Sequence, residues 1–113
     1  MSNHLEQLEL ATPSVRAAYA ALVKAGRALG KIREDPKKTS IHLVRESAFA
    51  GVTVRREALI LTLKSNEPID SERVEKTEQL SAKRWHNAIR LSSARDVDSE
   101  LRKWIAASYE LSG

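Results

Sequence analysis

The chain of 113 residues is close to the commonest size of a single domain, and its 42% hydrophobic and 30% charged residues are an ordinary globular composition that excludes wholesale disorder. It contains no cysteine, which excludes disulfides, thiolate metal sites and cysteine nucleophiles and fits a reducing compartment. The net charge of +4 is uneven: residues 27–64 carry nine basic and four acidic side chains, whereas residues 1–26 balance and residues 65–113 hold eight basic against nine acidic.

Leu5, Leu8 and Leu10 leave residues 1–11 open between a flexible arm, a docked arm and an extra helical turn. A helix is predicted from Thr12 to Leu29. Thr12 is a capping residue, Pro13 suits the first helical position, and Val15, Tyr19, Leu22 and Val23 recur on one stripe. Gly26 continues the stripe as a point of close packing, and Gly30 ends the helix in a left-handed cap.

The period then changes to two. Ser40–Arg45, Ala48–Val54 and Leu59–Lys64 read as three strands, with Ile41, Leu43, Leu59, Leu61 and Leu63 on one face. The short connections between them require antiparallel neighbours. Ser65–Pro68 is a turn cluster. Arg73–Leu80 reads as a fourth strand or, from Glu72 and Lys76 at helical spacing, as a short helix. Trp85, Ile89 and Leu91 alternate with His86, Ala88 and Arg90 in a last strand. Ser93 and Asp96 resemble a capping box that opens a closing helix, whose buried stripe is Val97, Leu101, Trp104, Ile105 and Leu111.

The expected fold is a single α+β domain over residues 1–113. It is a two-layer sandwich: an antiparallel meander of four or five strands, with N- and C-terminal helices on one face. The opposite face is then partly bare and presents His42, Val44, Ile60, Thr62, Lys64, His86, Ala88 and Arg90, with Phe49 and Gly51 of uncertain parity. No stretch approaches a membrane span, and residues 1–10 lack the apolar run of a secretory signal, so the expected location is cytoplasmic with no membrane partner.

Known catalytic patterns are absent: there is no G-x-S-x-G, P-loop, G-x-G-x-x-G or H-E-x-x-H, and no catalytic residue, metal site or cofactor is assigned. The candidate binding residues are Lys37, Lys38, His42, Arg45, His86 and Arg90. They form a basic rim beside the bare face, suited to phosphates, and nucleic acid is the first candidate ligand. The plainer reading of the lysines is that cations at strand entries deter edge pairing. Aromatics for base stacking are few, and only Phe49 and Trp85 fall on strands, with Trp85 better read as core. Two alternatives stand beside the binding module. One is a homo-oligomeric or protein-interaction domain that uses the apolar residues of the face. The other is a small enzyme or metal protein that uses His42 and His86, should the two approach each other.

The stretches Pro36-Lys37-Lys38-Thr39-Ser40-Ile41-His42-Leu43-Val44-Arg45, Ala48-Phe49-Ala50-Gly51-Val52, Arg84-Trp85-His86 and Asp96-Val97-Asp98 together resemble a bacterial family, domain of unknown function 5655. The resemblance runs from about Pro13 to Leu111 in matching order. It implies no established reaction and no catalytic residues. Similar domains stand alone or at the C-terminal end of larger proteins, some of them nuclease-like, so the resemblance implies a nucleic-acid setting by association. The helix–sheet–helix order also resembles the frataxin-like architecture. Frataxins carry an acidic iron ridge on the first helix, whereas here that helix holds Arg16, Lys24 and Arg27 and no acid between Thr12 and Gly30.

Overall fold

Residues 3–113 are described by the computed structural model. A short helix, α1 (His4–Leu10), comes first, and Asn3 caps it by accepting the Leu5 N–H at 3.0 Å. The segment is docked. The His4 N–H donates to Lys37 C=O at 2.9 Å, and Leu5 and Leu8 pack against the core while Leu10 stays exposed. Helix α2 (Pro13–Arg27) begins as its sequence predicts, with the Thr12 hydroxyl accepting the Val15 N–H. Val15, Tyr19, Leu22, Val23 and Gly26 are its buried face. Gly26 is a close-packing point: a Cβ there would lie 3.0 Å from Ile32 Cδ1 and 3.3 Å from the Phe49 ring. The helix ends earlier than expected, capped by Ala28, and Gly30 follows with φ 154°.

Six antiparallel strands follow, rather than four or five: β1 (Arg33–Pro36), β2 (Ile41–Val44), β3 (Ala48–Val54), β4 (Leu59–Ser65), β5 (Val74–Ser81) and β6 (Arg84–Leu91). The spatial order is β1-β2-β3-β4-β6-β5, so the chain is not a plain meander and departs in detail from the frataxin-like order. β6 pairs with β4, and β5 is laid on the outside of β6. β1 escaped sequence reading because Arg-Glu-Asp-Pro has no apolar alternation; it is held by β2 and by Glu34, which accepts from Tyr19 Oη at 2.5 Å and from Arg27 at 3.3 Å. Of the two readings of residues 73–80, the strand is the correct one.

The Ser65–Arg73 connection that carries β4 past β6 is fixed by two side chains. Buried Asn87 on β6 accepts the Ile69 N–H at 3.0 Å and donates to Leu63 C=O and Ser65 Oγ. Arg73 donates to Asp98 at 2.9 Å, to Glu100 at 3.2 Å and to Asp96 C=O at 2.7 Å, tying the start of β5 to the third helix. That helix, α3 (Ser99–Glu110), is capped by Asp98, which accepts the Leu101 N–H. The predicted capping box caps a separate single 3-10 turn, Ala94–Asp96, instead; Asp96 accepts the N–H groups of Ser92 and Ser93.

All three helices pack on the side of the sheet that carries the core. Ile41, Leu43, Val52, Leu59, Leu61, Leu63, Ile89 and Leu91 are fully buried under Val15, Leu22, Leu101 and Ile105. Each such side chain contributes about 1.5–3 kcal/mol of burial relative to an exposed one. Trp85 differs from its predicted place in the core: it is only half-buried, opposite Ser65 and Gln79.

Candidate functional site

A bulge in β3 sets the shape of the open face. Leu43 pairs with Ala50 but Val44 pairs with Ala48, so Phe49 is the extra residue. A bulge puts two successive side chains on one side. Phe49 therefore turns toward the helices, buried edge-on against Tyr109 at 5.3 Å, and is unavailable for base stacking. Beside the bulge the β3–β4 ladder ends at Ala50–Leu63. The buried Ser108 hydroxyl of α3 takes over there, donating to Phe49 C=O at 2.5 Å and accepting the Lys64 N–H at 2.9 Å.

The register aligns the open-face residues into rows. One row runs Asp35, His42, Gly51, Thr62, Ala88, Lys76 from edge to edge. The next holds Lys64, His86 and Glu78, and on the other side lie Thr53, Ile60 and Arg90. In their midst is a depression of about 420 Å³ lined by Ser40, His42, Gly51, Thr53, Thr62, Lys64 and His86, with the backbone around the bulge. Gly51 is its floor. A Cβ there would meet only Thr62 Cβ at 3.8 Å and His42 Cδ2 at 4.0 Å, so packing tolerates a side chain and the missing one leaves the space open.

Hydroxyls, imidazoles and a cation line this groove. Lys64 Nζ bonds Ser47 Oγ at 3.1 Å, and among the described residues no carboxylate forms an ion pair with it. Burial, and then the nearby Arg84, lower its pKa below the ordinary lysine value. His86 is pushed below 6.5 by burial, opposed by Glu78 and reinforced by Lys64. A neutral imidazole there can donate from one nitrogen and accept at the other.

His42 and His86 do not approach each other. β3 and β4 stand between their strands, so they are three strand spacings, roughly 14 Å, apart. They cannot share one ion, and no cluster of three metal-ligating side chains occurs among the described residues. The six candidate residues likewise do not form one rim. Lys37 sits in the β1–β2 turn paired with Asp35 at 2.9 Å, and this contact holds the Asp35 carboxyl below its usual range. Lys38 beside it is exposed. Arg45 lies at the other end of β2, stacked 4.3 Å over the Tyr109 ring and donating to Tyr109 C=O at 3.1 Å, where a cation suits the end of α3. Arg90 is exposed on the open face. His42 and His86 alone of the six line the groove. Lys64 and Gly51 complete it; their signal in the sequence was parity, a lone cation and a glycine on the non-core face of two well-marked strands.

Fold and groove thus define an α+β domain with a helix-covered core face and an open face that carries a cation-bearing depression. The chain belongs to the family described as Domain of unknown function (DUF5655), whose model matches residues 5–112. No curated protein and no solved structure matches it. No helix among the described residues is long and apolar enough to cross a membrane.

Proposed function

We propose that the protein is a non-catalytic binding module that takes a phosphate-bearing ligand in the open-face groove, nucleic acid being the first candidate. The supporting observation is Lys64: a half-buried cation without a carboxylate partner among the described residues, set between Thr62, His86 and the Gly51 floor. Ser47 Oγ accepts one of the three ammonium N–H donors; desolvating a cation is costly unless acceptors meet the rest, and phosphate oxygens accept from lysine, threonine and imidazole alike. Arg90 and Lys38 extend the positive surface at the margins, whereas Lys37 and Arg45 are engaged within the fold. The uneven charge, concentrated in residues 27–64, supports the same reading. With Phe49 in the core, the ligand is held by its backbone charges rather than by stacked bases.

The test is fluorescence anisotropy with labelled single- and double-stranded DNA and RNA at low and moderate salt. Association in the range of about 10⁻⁴–10⁻⁶ M that weakens with salt, and weakens further in Lys64→Ala, supports the module. Absence of binding at low salt, or binding indifferent to Lys64→Ala, removes it.

A further inference from the structure

The two edges of the sheet are built differently. β1 has four residues, ends in Pro36, which has no N–H, and is tied to α2 through Glu34. β5 has eight residues, and Glu75 to Ser81 are all exposed. Two irregularities, between Val74 and Lys76 and between Gln79 and Ser81, bracket a regular run from Lys76 to Gln79. Bulges of this kind protect an edge against indiscriminate pairing, but they leave the four central residues as a template.

Within that run, Lys76-Thr77-Glu78 is complementary to itself when reversed. We propose that β5 pairs antiparallel with β5 of a second copy of this chain, about a two-fold axis at Thr77. Thr77 then faces its own counterpart, a favourable cross-strand pair. Lys76 faces Glu78 of the second copy, and the same pair recurs across the axis. Leu80, just past the regular run, is one of the few large hydrophobic side chains left exposed. Face parity agrees: Lys76 pairs with Ala88 and Glu78 with His86, so both project from the open face. Neither Lys76 nor Glu78 forms an ion pair among the described residues of the single chain. A symmetric interface needs such self-complementary surfaces. The product is a continuous twelve-stranded sheet, six strands from each copy, with the two open faces on one side. One strand pair covers less surface than a standard interface, so the dimer is a weak one that forms with rising concentration. This inference stands independently of what the groove binds.

Sedimentation equilibrium across the micromolar-to-millimolar range tests it. The mass rises from one chain toward two. Lys76→Glu and Glu78→Lys each stay monomeric, because each places like charges opposite one another twice. Their equimolar mixture and the double variant Lys76→Glu/Glu78→Lys both regain the dimer, since opposite charges face again. Circular dichroism verifies that each variant folds. In a chain without cysteine, Thr77→Cys cross-links to itself under oxidised glutathione, whereas Gln79→Cys, which would face Glu75, does not. A monomer at every concentration, a dimer unaffected by either single reversal, or equal cross-linking at the two positions would overturn the proposal.

Discussion

His4 and Val54 are joined directly, 50 residues apart in sequence: the imidazole Nε2 of His4 accepts the Val54 N–H at 2.7 Å at the end of β3. The bond closes α1 onto the sheet and requires the imidazole proton to sit on Nδ1. Burial lowers the His4 pKa below 6.5. The folded protein therefore binds fewer protons than the unfolded chain between the folded pKa and 6.5, so stability rises with pH across that window. It is fully present above 6.5 and is lost as pH falls toward the folded value. His86, also lowered, acts in the same direction. Hydrogen exchange at Val54 measured on either side of pH 6.5 is expected to show faster opening on the acid side. In His4→Gln that difference disappears, and urea denaturation retains only the His86 part of the slope.

Asp98 carries two duties, capping α3 and pairing with Arg73. The Leu101 N–H, and then Arg73, hold its carboxyl below the usual range. Its contribution is present above the unfolded value of about 3.9 and is lost as pH falls through the folded one. Asp98→Ala is expected to cost about 1 kcal/mol in urea denaturation. Asp98→Ser keeps a cap and loses only the exposed ion pair, so it recovers most of that.

Gly30→Ala is expected to destabilise the protein by roughly 1–3 kcal/mol, since φ 154° is a backbone region that side chains rarely adopt. The new methyl would also run into the Tyr109 hydroxyl. Thermal denaturation reads the loss, and no second-site change restores φ.

Gly51→Ala should separate folding from binding. Its backbone is ordinary strand, so a methyl group raises stability by about 0.5–1 kcal/mol while it fills the groove floor. Anisotropy with the same labelled nucleic acids is expected to weaken as the melting temperature rises. Unchanged binding would place the ligand elsewhere.

The layers were legible in the sequence because burial wrote them there. Val15, Tyr19, Leu22 and Val23 mark α2, and Leu59, Leu61 and Leu63 mark β4, each with its own period. β1 was not legible because an edge strand needs little burial, and Arg33–Pro36 has only backbone pairing and Glu34 to hold it. The place of β5 outside β6 was not legible either. Asn87 and Arg73 fix that crossover with polar contacts whose partners lie 18 or more residues away, and no local pattern encodes them. Of the site, the parity of His42, Lys64 and His86 was readable, but the Phe49 bulge was not, since it turns on the closure of β2 against β3 and on Ser108 in α3. The basic rim failed as a unit because charge counts carry no distances: Lys37 and Arg45 are near in sequence and at opposite ends of a strand.

The strand order also dictates a sequence of events during synthesis. β4 emerges next to β3 but finds its other neighbour only in Arg84–Leu91, after β5 has already been made. β5 and β6 are joined by a two-residue turn at Ala82-Lys83, so they can close on each other first and arrive at β4 as a finished hairpin. Until that arrival, the Leu59–Ser65 flank stands open, and the growing chain has an interval in which a strand carrying Leu59, Leu61 and Leu63 has backbone partners to offer and none to meet them.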